Sequence, residues 1–347
     1  MKAAVLRAFG RLDSLSWEEV PDPVPGPGEV LLRVRAAAVN RTLDIELIEG
    51  TSGWRPPLPH IPGSEPAGDV VALGPGVETV AVGARVAAMP ALHCGTCSEC
   101  LLGYANSCLY AGGLGRSRPG GYAQLVAVPA RALIPIPPDL SYAEGAAIPQ
   151  SFTTAWHLLV TRAEVQPEDT VLILGAAGGL GIAGIQIAKL YGARVIAVAG
   201  SEEKLRVARE LGADYTINHR THDFAEEALR LTDGRGVDVV YENVGAATWE
   251  RSLRSLAVRG RLVTCGTQGG AHIAFDLRDF YRRQLTLRGS AGATDRDVER
   301  VRQYVAAGRL RPRVHAVFPL ARLPEAAAVI LARQNIGKVI VEIPQDA

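Results

Sequence analysis

Lysine is scarce in this chain: only four of its 37 cationic residues are lysines (Lys2, Lys189, Lys204 and Lys338), and the rest are arginine. An excess of charge is missing too. The 37 cations face 36 aspartates and glutamates, so a formal charge of +1 supplies no field that gathers nucleic acid or an anionic membrane. There is no internal repeat and no low-complexity tail, and 48% hydrophobic content over 347 residues excludes a disordered chain while allowing two packed domains. The one uncharged run of membrane-span length, residues 171–188, is crowded with glycine in its middle and reads as a buried strand, a tight turn and a buried helix. The opening residues 1–7 lack a long apolar core and a small-residue cleavage site. They read as a first strand, and the expected location is the cytoplasm.

Up to residue 150 the apolar segments are short and punctuated by turns such as Pro25-Gly26-Pro27-Gly28 and Gly74-Pro75-Gly76. Strands are expected at 3–7, 30–39, 68–73, 85–89 and 122–128, in a mostly antiparallel, barrel-like domain without helical period. A helical stretch over 143–160 marks a change of architecture. From Thr170 buried strands (171–174, 194–198, 215–218, 237–241, 261–265) alternate with amphipathic helices (179–191, 201–211, 224–231, 248–258), the pattern of a doubly wound parallel sheet. Two further helices (296–307, 323–334) and a strand (338–343) close the chain. The expected division is 1–150, with a metal lobe near 90–110, then 151–290 as a dinucleotide-binding domain, and 291–347 returning to the first domain.

Three motifs carry chemistry. Between a strand and a helix lies Gly175-Ala176-Ala177-Gly178-Gly179-Leu180-Gly181. Glycines there let the backbone approach a pyrophosphate, whose charge the free N–H groups of the helix start stabilise. The spacing departs from G-x-G-x-x-G, because Ala176 stands where a glycine would be. At the end of the next strand an NAD-binding chain places an acid on the ribose, whereas this one reads Gly200-Ser201-Glu202-Glu203-Lys204. Ser201 and Lys204 suit a 2′-phosphate, which favours NADPH over NADH, although Glu202 and Glu203 would oppose it if turned inward and Ser201 could be a plain helix cap. Finally, Cys94-x2-Cys97-x2-Cys100-x7-Cys108 gathers four of the five cysteines with the spacing of one tetrahedral, structural zinc ion. Cys265 reads as a small buried side chain, and His93 as a neighbour of the lobe.

Taken in order, Lys2–Val5, Gly63-Ser64-Glu65-Pro66-Ala67-Gly68, Gly74-Pro75-Gly76-Val77, the four-cysteine lobe, Thr154-Ala155-Trp156, the glycine turn, Asn243-Val244-Gly245 and Gly337-Lys338-Val339-Ile340 resemble the medium-chain dehydrogenase/reductase superfamily, the zinc alcohol dehydrogenases and quinone oxidoreductases. The resemblance spans nearly the whole chain. It implies an α/β protein with a GroES-like β-barrel domain plus a doubly wound Rossmann domain, and a homodimer or homotetramer, with sheet extension near 285–289. It further implies a cofactor site at Gly175, Ala176, Gly178, Gly179, Leu180 and Gly181, with Ser201 and Lys204 at the 2′-phosphate. His219 would lie near the adenosine, or else be an ordinary loop residue, and Thr154, Asn243 and Gly245 would lie near the nicotinamide.

The family's catalytic zinc ligands correspond by resemblance to Asn40, Ser64 and Gln150, none of them a good zinc ligand. Asp44 and Glu65 stand nearby, and the segment from Asn40 to Gly50 is one residue longer than the family's usual pattern. Without a metal Lewis acid an alcohol is hard to deprotonate, whereas an already polarised acceptor needs only hydride and hydrogen-bond donors. The expectation is an NADPH-dependent quinone or enone reductase with one structural zinc, acting on a small molecule. Asn40, Ser64 and Gln150 then line the substrate end, and Asn40 serves as carbonyl donor. An alcohol dehydrogenase with an atypical metal site and a non-catalytic NADPH-binding protein are the alternatives.

Overall fold

A computed structural model describes residues 1–345, which form two compact units: one of Met1–Gln150, Arg302–Ala307 and the chain from Pro312 onward, the other of Ser151–Val301 with Gly308–Arg311. The first unit is built on a seven-stranded sheet in the order Val314–Pro319, Lys338–Glu342, Glu29–Val39, Glu65–Leu73, Arg85–Ala88 and Leu133–Pro135, with Leu125–Pro129 also pairing with Glu29–Val39. All pairs are antiparallel except the first, which is parallel. The long strand Glu29–Val39 is the hub, and its alternate residues Val30, Leu32, Val34 and Ala36 are buried. This is the mostly antiparallel half expected from the short, turn-punctuated strands, and the GroES-like domain that the resemblance implies.

The second unit carries six parallel strands in the order Tyr215–Asn218, Arg194–Ala199, Thr170–Ile173, Val237–Glu242, Leu256–Thr264 and Thr286–Gly289. In chain order that is 3-2-1-4-5-6, the dinucleotide-binding arrangement, with its switch point between Thr170–Ile173 and Val237–Glu242. Thr170–Ile173 is buried throughout, as a central parallel strand covered on both faces must be.

Some expectations shift. The helical stretch 143–160 is Tyr142–Ala146, capped by Ser141 and Glu144, then Pro149–Trp156, and then a widened helical turn His157–Arg162, because Pro149 has no N–H with which to continue the first helix. The first 150 residues do contain short helices, at Glu46–Glu49 and Ser98–Leu101. The return to the first unit falls at Arg302, inside the helix Asp295–Ala306, and not at 291. Asp297 explains this, since its buried carboxylate accepts from Thr161 Oγ1 at 2.5 Å and lies 2.7 Å from His157 Nδ1, tying that helix's first turn to the second unit. The strand Val314–Pro319 and the helix Leu277–Arg282 are additions to the expected elements.

Candidate functional site

Strand register assembles the first site. Val39 pairs with Val339 and Ala38 with Glu65, so Asn40, Glu65 and Lys338 emerge side by side where three neighbouring strands end. Lys338 Nζ donates to Glu65 Oε2 at 2.8 Å and to Asn40 Oδ1 at 2.5 Å. Asn40 Nδ2 donates to the same Glu65 oxygen at 2.7 Å and to Ser64 Oγ at 3.1 Å. The remaining Glu65 oxygen accepts the Gln150 backbone N–H at 2.6 Å. Glu65 and Ser64 are fully buried and Lys338 nearly so.

A widened turn, Arg41–Ile45, follows Asn40, and in it the Ile45 N–H reaches back to the Asn40 carbonyl at 3.1 Å. Such turns re-aim the side chains that follow them. Here the turn sends Asp44 inward, where it accepts from the N–H groups of Asn40 and Ser64 at 2.8 Å each and from Ser64 Oγ at 3.0 Å. Complete burial pushes the Asp44 carboxyl up to about 6, helped by the charge of Glu65 and opposed by those hydrogen bonds and by Lys338.

Asn40, Ser64 and Gln150 are thus brought to one place, but as part of a lysine-centred network. Two amides, a hydroxyl and an ammonium 2.8 Å from the buried carboxylate do not suit a zinc ion, which wants thiolate, imidazole or carboxylate and is repelled by a fixed cation. Among the described residues no cluster of potential metal ligands forms at Asp44 and Glu65. Both amide hydrogens of Asn40 are engaged, so it has none left for a substrate carbonyl. The side-chain amide of Gln150 has no such commitment among the described residues. In the sequence Lys338 stands out only as a landmark of resemblance, because its partner Asn40 is 298 residues away.

The second unit holds the glycine turn. Gly175 has φ +60°, a conformation that favours glycine, and a Cβ at Gly181 would stand 2.3 Å from the Gly175 carbonyl oxygen. Those two positions need glycine; Ala176 does not, since its N–H joins the Val198 carbonyl at 3.0 Å and its methyl is buried. Gly178 caps the twelve-residue helix Gly179–Leu190, whose first N–H groups have no acceptor within the helix, as at any helix start. Asn243 Nδ2 donates to the Leu174 carbonyl at 3.1 Å, fixing the switch point, and Gly245, at φ +99°, leads into the next helix. Thr154 Oγ1 is buried with no partner among the described residues.

At the end of Arg194–Ala199, Ser201 caps the helix Glu202–Glu210 by accepting the Lys204 N–H. Glu202 is turned along that helix to pair with Arg209. Around Gly200 gathers a positive group of which the sequence shows only a part. A Cβ there would lie 2.9 Å from His219 Nε2 and 3.2 Å from Arg220 Nε. Burial and then the charge of Arg220 lower the Lys204 pKa; burial, Arg220, Arg251 and Lys204 lower that of His219. Burial is the larger cause in both, and the convergence of several cations makes this a candidate anion site. Arg220 follows a strand with no motif around it, and Arg251 sits in a helix, so neither carries a sequence signal.

The four cysteine sulfurs lie within 4.8 Å of one another, with contacts of 3.6 Å (Cys94 to Cys108) and 3.9 Å (Cys94 to Cys100, Cys97 to Cys108). A tetrahedral zinc with bonds near 2.3 Å requires sulfurs about 3.8 Å apart, so these thiols could hold one. The Cys94 thiol is brought down to about 5, first by the Thr96 backbone N–H and then by its hydroxyl and the Cys97 N–H, whereas burial pushes the Cys100 thiol up to about 12.

A doubly wound sheet with this turn, in one chain with a GroES-like unit, is the architecture of the nicotinamide-dependent oxidoreductases that the chain resembles. Residues 26–138 match the alcohol dehydrogenase GroES-like domain and residues 179–307 the zinc-binding dehydrogenase family. The chain is 35% identical to a 2-haloacrylate reductase of Burkholderia sp, over 99% of both chains, and 33% identical to an acryloyl-coenzyme A reductase of Sulfurisphaera tokodaii, over 99% of this chain and all of the other. A solved NAD-dependent alcohol dehydrogenase superposes with a TM-score of 0.94 at 40% identity, covering 99% of this chain and all of that one. The chain belongs to the medium-chain dehydrogenase/reductase superfamily.

Proposed function

We propose that this protein is an NADPH-dependent reductase of a double bond polarised by a neighbouring carbonyl, as in an α,β-unsaturated carbonyl compound or a quinone, and that it works without a catalytic zinc. The observation that carries this reading is the Lys338 ammonium, joined to Glu65 and Asn40 in the neighbourhood where the family's metal ligands would stand. The bound nicotinamide would supply the hydride. The chain's own part is to hold the pyrophosphate at Gly175–Gly181, to bind the 2′-phosphate with Ser201, Lys204, Arg220 and His219, and to present donors to the oxygen on which charge develops. Gln150, with its uncommitted amide, is the better donor; Asn40 keeps Glu65, Ser64 and Lys338 in register. The names of the two reductases among the relatives, one for 2-haloacrylate and one for acryloyl-coenzyme A, support a conjugated double bond as the target. One zinc ion on Cys94, Cys97, Cys100 and Cys108 would be structural, since four protein ligands leave no position for substrate.

The test is turnover of NADPH with an enone and with a quinone, before and after treatment with a chelator that strips exposed metal. Reduction that survives the chelator supports the reading. Oxidation of a simple primary alcohol that vanishes with the metal and returns with added zinc would instead establish a zinc-dependent dehydrogenase.

A further inference from the structure

The first unit contains a guanidinium that its own fold leaves unneutralised. Arg116 follows the short strand Gly112–Gly113, and its side chain folds back over it: a Cβ at Gly113 would stand 2.3 Å from Nη2 and 2.4 Å from Nε, so glycine makes the room. Nη2 donates to the Pro90 carbonyl at 3.1 Å, and Cζ lies 4.9 Å from the centre of the Trp54 ring. Nε is buried with no acceptor among the described residues. Other partly buried arginines are paired: Arg118 with Glu29 at 2.5 Å, Arg35 with Asp69 at 2.9 Å, Arg261 with Asp169 at 2.5 Å. Arg116 forms no such pair among the described residues.

The charge that acts on it is the Asp44 carboxylate, too weakly to offset its burial. Asp44 is meanwhile occupied by the hydrogen bonds from Asn40 and Ser64. Tyr122, whose hydroxyl is buried with no partner among the described residues, feels the same carboxylate and that of Glu65. A Cβ at Gly115 would stand 2.8 Å from the Gly63 nitrogen, and the Tyr122 N–H donates to the Pro62 carbonyl at 3.0 Å, so the segments that carry Arg116 and Tyr122 adjoin Ser64 of the polar network, and each side chain has an idle donor among the described residues. The Trp54 face steadies a guanidinium without neutralising it, and a desolvated N–H with no acceptor is a cost the fold does not recover by itself.

We propose that Arg116 recognises the carboxylate of the substrate, and that the substrate is an α,β-unsaturated carboxylic acid whose carboxylate is conjugated with the double bond. A guanidinium meets a carboxylate with a planar fork of charged donors, whereas the carbonyl of an ester or thioester is neutral and needs only a hydrogen bond. The phosphates of a large acyl carrier lie a long arm away from the acyl group, whereas Arg116 directly follows Gly115, which packs on Gly63 next to Ser64 of the polar network. This inference rests on the double-bond reductase reading. In the step it serves, hydride from NADPH forms a bond at the β-carbon and the C=C π pair shifts toward the α-carbon and carboxylate, raising the negative charge that Arg116 faces. A proton from solvent then adds at the α-carbon, leaving the saturated acid and NADP+.

The experiment compares 2-chloroacrylate with its methyl ester as substrates, using the full-length protein with NADPH, in wild type, Arg116→Lys and Arg116→Gln. It adds calorimetric binding of 2-chloropropionate, the saturated acid. The expected wild type prefers the acid, and Arg116→Gln lowers the acid-to-ester ratio of kcat/KM by about 30-fold or more, with Arg116→Lys between them, as loss of a charged bidentate contact requires. A wild type that prefers the ester, or a variant in which acid and ester fall together, overturns the assignment. If neither is reduced, the reductase reading fails separately, and 2-chloropropionate binding decides the recognition role: loss in Arg116→Gln supports it and unchanged affinity overturns it. Should Arg116→Gln not fold, the wild-type ratio and Arg116→Lys decide the same question.

Discussion

Lys338 Nζ lies 2.8 Å from Oε2 of Glu65, a carboxylate with no exposure to solvent. The pair joins the last strand in chain order of the first unit's sheet to a strand near its centre, through Asn40 just past the end of the strand between them. A buried ion pair contributes little net stability when intact, yet loss of one member leaves an uncompensated charge.

Lys338→Met should therefore destabilise the first unit by about 3–5 kcal/mol, and combining it with Glu65→Gln should recover most of that loss. Chemical denaturation of the two single variants and the double variant checks this. Equal stability of Lys338→Met and wild type would show that the ammonium does not balance Glu65.

Asp44 makes stability depend on pH in the opposite sense to most carboxylates. Its folded value of about 6 lies above the ordinary 3.8, so the folded state binds the proton more tightly, and Asp44's contribution is fully present below about pH 4 and lost as pH rises through 6. Asp44→Asn removes this titration. The advantage of wild type over the variant should be greatest near pH 4 and shrink by roughly 2–3 kcal/mol by pH 7, as urea midpoints at the two pH values would record.

Cys97→Ser should reduce bound zinc and lower the melting temperature while changing NADPH affinity far less, because such a metal organises its own loop. Metal analysis after purification under reducing conditions should find one ion per chain in the unaltered protein. A chain free of zinc and of other thiophilic metals would remove the structural role of the lobe.

Lys204→Ala and Arg220→Ala should each weaken NADPH by roughly 1–2 kcal/mol and alter NADH little, the effect of one charge-assisted contact to a phosphate. Cofactor fluorescence titration measures both constants. Equal affinity for the two cofactors in wild type would count against a 2′-phosphate site at Ser201.

Local signals are readable in the sequence. Cysteine spacing, the glycines after a strand, and the alternation of buried strands with amphipathic helices are all carried by residues close together, and the second unit's strands fall within a few residues of expectation. What stays hidden depends on distance or on small residues. Lys338 joins Asn40 across the whole chain, and Arg116 gains its place from the missing side chain of Gly113. Val314–Pro319 alternates between partly buried and exposed residues, a weak hydrophobic signal for an edge strand. The departure at Ala176 has no consequence, since only Gly175 and Gly181 are under conformational or steric demand.

The discontinuity of the first unit sets an order of assembly during synthesis. All of 151–301 is made before the strands Val314–Pro319 and Lys338–Glu342, so the parallel sheet can be complete while the first unit still lacks two of its seven strands. Until Lys338 leaves the ribosome, Glu65 has no ammonium beside it and the Glu29–Val39 strand is open along the edge that Lys338–Glu342 will cover. Nascent chains halted before that strand should thus protect the nucleotide unit from protease while the amino-terminal half stays cleavable, although it was made first.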